Sequence, residues 1–527
     1  MFKLRSVAME AFTLKLLILF FAPLFLFLFL RRSHGRRRGH GKPLPPGPFN
    51  LPVIGSLHHL LGPLLHQTLA SMSQRYGPAM LLKFGHVPTL VISSVGAAAE
   101  IMKTHDVSFA TRPVIHSATL IAYGGDGIVF APYGICWREL RKMSMVELLS
   151  AKRVHSFGHI REDEVLKFMR SIMLAPQSVN LSIGFKVLAN DIAARAIIGS
   201  KCEYQQEFLR LITKGLEAAG GFNLADLYPS SLLLGLLNRL FSAKMQRLHL
   251  EADAILDGII KEHRQRSKTS AEQSAEVDMV DTLLKVQAEG SLPFPLMDLS
   301  IKAMIFDLFA AASETTSTTM EWAMSELMKN PMAMKRAQEE VRRVVGGKGT
   351  VTEDDVGEMS YLKLAVRESM RLHPPLPLLL PRECQEAMEV MGYWIPAKTR
   401  VLVNAWALGR DPRYWDDATE FKPERFAAGG RSCGVDSKGS NLELIPFGAG
   451  RRMCPGSTFG MATVELVLAC LLYYFDWEMP VPGDGRPAKR PTELDMEEEF
   501  MLACHKKTQL CLRAIQRIRS DLDRTKH

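Results

Sequence analysis

From Asp298 to Asn330 the chain runs without a glycine or a proline, and Pro331 is the first breaker after it. A stretch this long exceeds an ordinary globular helix and predicts one helix that crosses the domain. Any fold open to the chain has to accommodate that rod. The length of 527 residues allows several domains, although large enzymes often form a single unit. With 47% hydrophobic and 23% charged residues, a disordered chain is excluded.

The second constraint is the loop Phe447-Gly448-Ala449-Gly450-Arg451-Arg452-Met453-Cys454-Pro455-Gly456. Its glycines let the backbone take positive φ and approach something flat, and Pro455 and Gly456 direct the path after the sulfur. The loop reads as a socket for one thiolate; a lone cysteine in a glycine-rich turn is otherwise a buried structural residue. The eight cysteines form no CxxC pair, which argues against a zinc site or a disulfide framework and for a reducing compartment.

The loop resembles the haem-binding signature Phe-x-x-Gly-x-Arg-x-Cys-x-Gly of the cytochrome P450 superfamily, with Phe447, Gly450, Arg452, Cys454 and Gly456 at every specified position. The resemblance spans about residues 43 to 515 and is to the plant microsomal type, its wording being nearest to terpenoid-oxidising grass members. It implies a mainly α fold with small β-sheets, the long helix lying over haem b, and an N-terminal transmembrane helix. Cys454 would be the axial ligand of the haem iron, since a thiolate favours O–O cleavage.

Residues 11 to 30 are apolar after Lys15 and long enough to span a bilayer if that lysine snorkels to the interface. Arg31, Arg32, Arg36, Arg37, Arg38 and Lys42 follow, contribute to the formal net charge of +9, and predict a cytosolic remainder by the positive-inside rule. A cleaved signal peptide is the rival reading, but arginines stand where a small-residue cleavage site belongs. We therefore expect an anchor at residues 1–30, a basic and proline-rich hinge at 31–50 containing Pro43 to Pro48, and a haem-thiolate domain at 51–527, held at the endoplasmic reticulum membrane as a single-pass protein. Membrane lipid, not nucleic acid, is the partner this basic run indicates.

Along the body, Ala79 to Ser93 reads as a β-hairpin about Gly-His-Val-Pro, and Ser108 to Val129 as a loop, which the resemblance makes a pocket wall. Trp137 and Arg141 are four apart on a helical pattern and so share a face; the family's Trp-x-x-x-Arg motif gives both to a haem propionate. Helices with apolar stripes fill residues 160 to 260. The apolar stretch 231–242 fits core packing or a second membrane contact, and residues 263 to 277, polar and without period, read as an exposed loop.

Within the long helix, Ala311-Ala312-Ser313-Glu314-Thr315-Thr316 resembles the family's oxygen-activation motif. Small residues leave room for dioxygen, and a hydroxyl with an acid delivers protons without admitting bulk water. Thr315 and Glu314 are the implied catalytic pair. Ala312 stands where the family has glycine, and Thr315 could instead bond back to the preceding turn, as threonines within helices do.

In the second half, Glu368 and Arg371 share a helix face, and the resemblance joins them to Arg425 of Pro423–Phe426 as a buried network behind the thiolate loop. Leu376 to Arg382 reads as a strand; the resemblance implies that Leu378 and Leu379 are pocket residues beside Ala311 and Phe500, and that Arg382 is a further propionate partner. Gly392 to Leu408 reads as a hairpin about Pro396 to Thr399, residues 427 to 441 as an exposed loop, and Ser457 to Tyr474 as an apolar helix starting near the sulfur.

The implied function is a monooxygenase that oxidises a hydrophobic small molecule, such as a diterpene or other terpenoid, with O2 and electrons from NADPH-cytochrome P450 reductase. NADPH would act only through that partner, whose acidic surface suits Arg138, Lys142 and Arg451. A haem-thiolate isomerase or dehydratase working without the reductase, and a membrane haem sensor or electron carrier, are the alternatives.

Overall fold

Helix breakers and end charges set the limits of the central element. In the computed structural model the long helix spans Asp298–Lys329, with Asp298 in its first turn, Lys329 in its last, and Pro331 opening the next helix. Its 32 residues make a rod about 48 Å long. The structure describes residues 41–518 apart from 63, 176–177, 200–204, 220–223, 230–231, 270–276, 482–489 and 501–502. The expected anchor at 1–30, hinge residues 31–40, Met501, Leu502 and the side chains of 231–242 lie outside that set.

The principal helices are α1 (Leu65–Tyr76), α2 (Ile135–Met143), α3 (Gly158–Met173), α4 (Leu181–Ile198), α5 (Gln205–Ala219), α6 (Leu232–Thr269), α7 (Met279–Glu289), the central α8 (Asp298–Lys329), α9 (Pro331–Val345), α10 (Ser360–Leu372) and α11 (Ser457–Tyr474). One large apolar core joins α3, α4, α8, α9, α10 and α11, and α8 is buried around much of its circumference. Among the described residues α11 alone is long and apolar enough to cross a membrane, and it is mostly buried in that core.

The strands are β1 (Ala79–Phe84), β2 (Val87–Ile92), β3 (Val179–Asn180), β4 (Arg382–Glu383), β5 (Met388–Val390), β6 (Tyr393–Ile395), β7 (Arg400–Val403), β8 (Phe475–Glu478), β9 (Glu498–Phe500), β10 (Cys504–Lys506) and β11 (Cys511–Gln516). β1 and β2 form the expected antiparallel hairpin, turning at Gly85 and His86. β2 then pairs in parallel with β7, and β4 closes the sheet antiparallel to β7, giving the order β1-β2-β7-β4. The proline-rich segment lies along this sheet, its Pro46 carbonyl accepting from Leu81 N at 2.9 Å.

Three expectations fail. The two strand runs of 392–408 do not pair with each other. Met391 and Gly392 both take positive φ (52° and 80°), the conformation of a tight hairpin turn, so β6 folds back on β5 while β7 leaves to join β2. Leu376 to Pro381 is a turn, since Pro377 and Pro381 lack ladder donors and Leu379 sits at φ 52°; only Arg382 and Glu383 are strand. Residues 263–269 are helical. They extend α6 through polar contacts instead of an apolar stripe: His263 Nε2 lies 2.9 Å from Asp278 Oδ2, and Arg266 Nη2 reaches Asp278 and Asp281 at 3.0 Å.

Candidate active site

The thiolate loop leads directly into α11. Gly448 and Gly450 hold φ of 70° and 67°, and a Cβ on Gly450 would lie 2.5 Å from the Met102 carbonyl oxygen, so only glycine passes there. Cys454 N donates to Phe447 O at 2.9 Å, which closes the loop behind the sulfur, and Arg141 donates to the Met453 carbonyl. Burial pushes the Cys454 thiol up, against a Gly456 N–H and the Arg141 charge that favour the thiolate. A bound cation would take the place of that proton. Gly456 has ordinary φ (−88°), and a Cβ there would meet no atom within 4 Å, so nothing in the chain itself excludes a side chain from that space.

Four guanidiniums gather above this loop. Arg382 donates to Asp106 Oδ1 at 3.0 Å and to Ala449 O at 2.7 Å. Arg452 donates to the carbonyls of Ala110 (2.6 Å), Ile128 and Ala131. Arg112, which the motif reading passed over, donates to Val129 O at 3.1 Å, Leu380 O at 2.9 Å and Pro381 O at 2.8 Å. Burial, with repulsion from Arg452, Arg382 and Arg141, lowers the Arg112 pKa well below its ordinary value. Asp106 is the carboxylate that offsets this group, and buried positive charge in such excess suits an anionic ligand. Paired carboxylates beside a thiolate are what haem b brings, so the donor set fits that cofactor.

Trp137 serves this cluster differently from the expectation. Its single N–H donates to Ile128 O at 3.0 Å, and its ring carries the Arg452 guanidinium 4.0 Å above its centre. An indole has one donor, and here the loop carbonyl takes it while the ring packs under the Arg452 guanidinium.

On α8, burial is continuous from Ile301 to Phe309 and is then interrupted at Ala310, Ala311, Ala312 and Thr315, the accessible strip of the helix middle. A Cβ on Gly460 would lie 3.8 Å from Thr316 Oγ1, so the start of α11 rides directly on this stretch. Thr315 Oγ1 donates back to Ala311 O at 2.8 Å. Glu314 is buried between an ammonium and an imidazole, with Lys186 Nζ at 2.8 Å and His505 Nε2 at 3.1 Å. Burial alone would raise its pKa, but His505 and Lys186 hold it down at about 2.

Asp307, two helical turns earlier, went unnoticed among the apolar residues around it. Its Oδ2 accepts from Ile128 N and Val129 N, and a Cβ on Gly127 would collide with it at 2.1 Å. An acid inside the apolar run Ile305-Phe306-Asp307-Leu308-Phe309 was the available signal.

Behind the loop, Glu368 accepts bidentately from Arg371 at 2.8 Å and from Arg425 Nε at 2.9 Å, the Glu368 and Arg371 side chains being fully buried. Arg371 also donates to the carbonyls of Gly409, Ala418 and Glu420, which ties α10 to the segment before Pro423–Phe426. Leu379 lies beside the thiolate loop, its Cδ1 3.9 Å from the Cβ position of Gly448. Leu378 is buried with Leu69, Met80 and Leu402 in a core against which Phe500 packs.

This geometry has counterparts. The Cytochrome P450 family model matches residues 45–509. Desmethyl-deoxy-podophyllotoxin synthase of Sinopodophyllum hexandrum is 50% identical over 472 residues, covering 89% of this chain and 91% of the relative. Premnaspirodiene oxygenase of Hyoscyamus muticus is 44% identical, covering 96% and 98%, and 5-epiaristolochene 1,3-dihydroxylase of Nicotiana tabacum is 42% identical with the same coverage. A thiolate loop leading into α11, an arginine cluster short of anions and an alanine-lined stretch of α8 therefore belong to a member of the cytochrome P450 family, a haem b monooxygenase.

Proposed function

We propose that this monooxygenase is anchored in the endoplasmic reticulum membrane by residues 1–30, takes electrons from NADPH-cytochrome P450 reductase, and oxidises an apolar small molecule of terpenoid type. The observation that carries the reading is the middle of α8, where Ala310, Ala311, Ala312 and Thr315 are accessible beside a buried, doubly paired Glu314. Haem b held by Cys454 supplies the redox chemistry of dioxygen. Arg112, Arg141, Arg382 and Arg452 bind its carboxylates, and the Glu368 network keeps the thiolate loop in register. The alanines leave room at the helix surface, the Thr315 hydroxyl holds a water there, and Glu314 passes protons to it. The apolar turns from Ile301 to Phe306 keep bulk water out.

Two surfaces support the partners. Arg138, Lys142 and Arg451 are exposed on the thiolate side, where an acidic electron donor would dock. Phe49, Val53 and Leu61 are 57%, 65% and 87% exposed just after the proline segment, where an anchored domain would meet lipid. The names of two relatives state oxygenation or dihydroxylation of premnaspirodiene and 5-epiaristolochene, which favours a hydrocarbon substrate. A spin-state titration of the holoenzyme with premnaspirodiene, phenylpropanoids and fatty acids tests the substrate class, followed by NADPH-dependent turnover with the reductase. A response confined to fatty acids, or turnover without NADPH, would overturn the reading.

A further inference from the structure

Beyond the acid and hydroxyl of α8, the structure brings a histidine from the other end of the chain onto the same carboxylate. His505 lies in β10, and its Nε2 is 3.1 Å from Glu314 Oε2, while its Nδ1 is 2.8 Å from Thr318 Oγ1 one turn further along α8. Its side chain is 24% exposed, whereas that of Glu314 is 12% exposed and Thr318 is fully buried. The imidazole therefore touches water on one side and the buried acid on the other. Lys186 holds the second oxygen, Oε1. The two carboxylate oxygens thus have different partners: an ammonium, which only donates, and an imidazole, whose two nitrogens can take up a proton on one side and release one on the other.

We propose that His505 is the proton inlet of the active site, relaying protons from solvent to Glu314. The charged imidazole gives its Nε2 proton to Glu314 Oε2; the N–H bond breaks, the O–H bond forms, and imidazolium plus carboxylate become imidazole plus carboxylic acid. The neutral ring keeps its Nδ1 proton, with the Thr318 hydroxyl 2.8 Å away as its acceptor in that state. Glu314 turns to pass its proton inward, and water recharges Nε2. No electrons move. Of the other ionisable groups, Glu321 of α8, whose Oε1 accepts from Ser182 of α4, interacts with the imidazole, and Lys506, next to His505 in β10, acts on Glu321. Neither is placed on Glu314. His505 acts through Glu314, so it is a positioning and relay residue, and the inference rests on the monooxygenase reading of α8.

The test uses the full-length holoenzyme with the reductase in lipid vesicles, without added substrate, and measures hydrogen peroxide formed per NADPH consumed from about pH 6 to about 8.5. In the wild type the peroxide fraction rises with pH as the inlet loses its proton. His505→Gln retains its carbon monoxide spectrum and melting temperature, but gives a several-fold higher peroxide fraction that no longer depends on pH. Lys186→Gln keeps the pH dependence. An unchanged profile in His505→Gln overturns the proposal. If that variant fails to take up haem, Thr318→Val decides instead, by weakening the pH dependence without removing the imidazole. A pH-difference infrared spectrum gives a readout independent of turnover. The carboxylate stretch that Glu314→Gln removes moves with pH in the wild type and stays fixed in His505→Gln if the imidazole exchanges protons on that oxygen; a band that behaves the same in both overturns the relay. A wild type that consumes no NADPH would count against the monooxygenase reading, and the infrared experiment would still judge the relay.

Discussion

Asp307 Oδ2 lies 2.7 Å from Ile128 N, and the Ile128 carbonyl in turn accepts from Trp137 and Arg452. One residue of the loop is thus held by its N–H to the central helix and by its C=O to the arginine cluster. Burial raises the Asp307 pKa to about 7 in spite of the two N–H donors. With the folded value above the unfolded one, ionisation costs the folded state. The contribution of this one group to stability is greatest below about pH 4 and is lost toward about pH 7, on the order of 4 kcal/mol over the window. Asp307→Asn stays neutral, so its melting temperature should fall less than that of the wild type between pH 5 and 8; parallel melting curves would refute this.

Arg371→Ala takes the bidentate partner from the fully buried Glu368 and leaves it Arg425 as its one charged partner. A loss of about 3 to 5 kcal/mol is expected. Denaturant unfolding of the holoenzyme measures it, and a change below about 1 kcal/mol would place the pair among ordinary surface ion pairs.

Arg112→Ala removes one buried guanidinium of the cluster. Haem retention should weaken by roughly one to two orders of magnitude, as for loss of one charge-assisted bond of about 1.5 to 3 kcal/mol. Haem transfer to apomyoglobin reads this directly, and Arg112→Lys should recover only part of it because the fork of carbonyl contacts is lost.

Cys454→Ser should abolish the red-shifted carbon monoxide band of thiolate ligation while membrane association persists. Normal activity in this variant would refute the ligand assignment.

Thr315→Ala should release hydrogen peroxide at the expense of product. Unchanged coupling, measured as product formed per NADPH, would move the water-holding role to Ser313 or Thr316.

What could be read from the sequence follows the range of the forces involved. The ends of α8 were legible because glycine, proline and end charges act locally. The Glu368–Arg371 pair and the thiolate loop were legible because their residues sit in short fixed spacings, whereas Arg425, 57 residues from Glu368, was joined to them only through the family resemblance. Arg112 was not, since its acceptors Leu380 and Pro381 are backbone carbonyls far along the chain, which carry no side-chain pattern. His505 escaped because a hairpin formed after α11 brings it to side chains about 190 residues earlier, a separation that no local spacing registers. The hairpin expected at 392–408 failed where a two-residue turn at Met391–Gly392 outcompeted the longer one at Pro396 to Thr399. The continuation of α6 to Thr269 depends on Asp278 and Asp281, which periodicity does not register.

The parallel pairing of β2 with β7 has a consequence during synthesis. The hairpin of β1 and β2 leaves the ribosome early, but its partner Arg400–Val403 follows about 310 residues later. At roughly 5 to 20 residues per second, the open edge of β2 waits on the order of 15 to 60 s for its neighbour. Throughout that interval the nascent chain displays an unpaired strand of Thr-Leu-Val-Ile, so its yield should depend on chaperone supply and elongation speed more than its final stability would suggest.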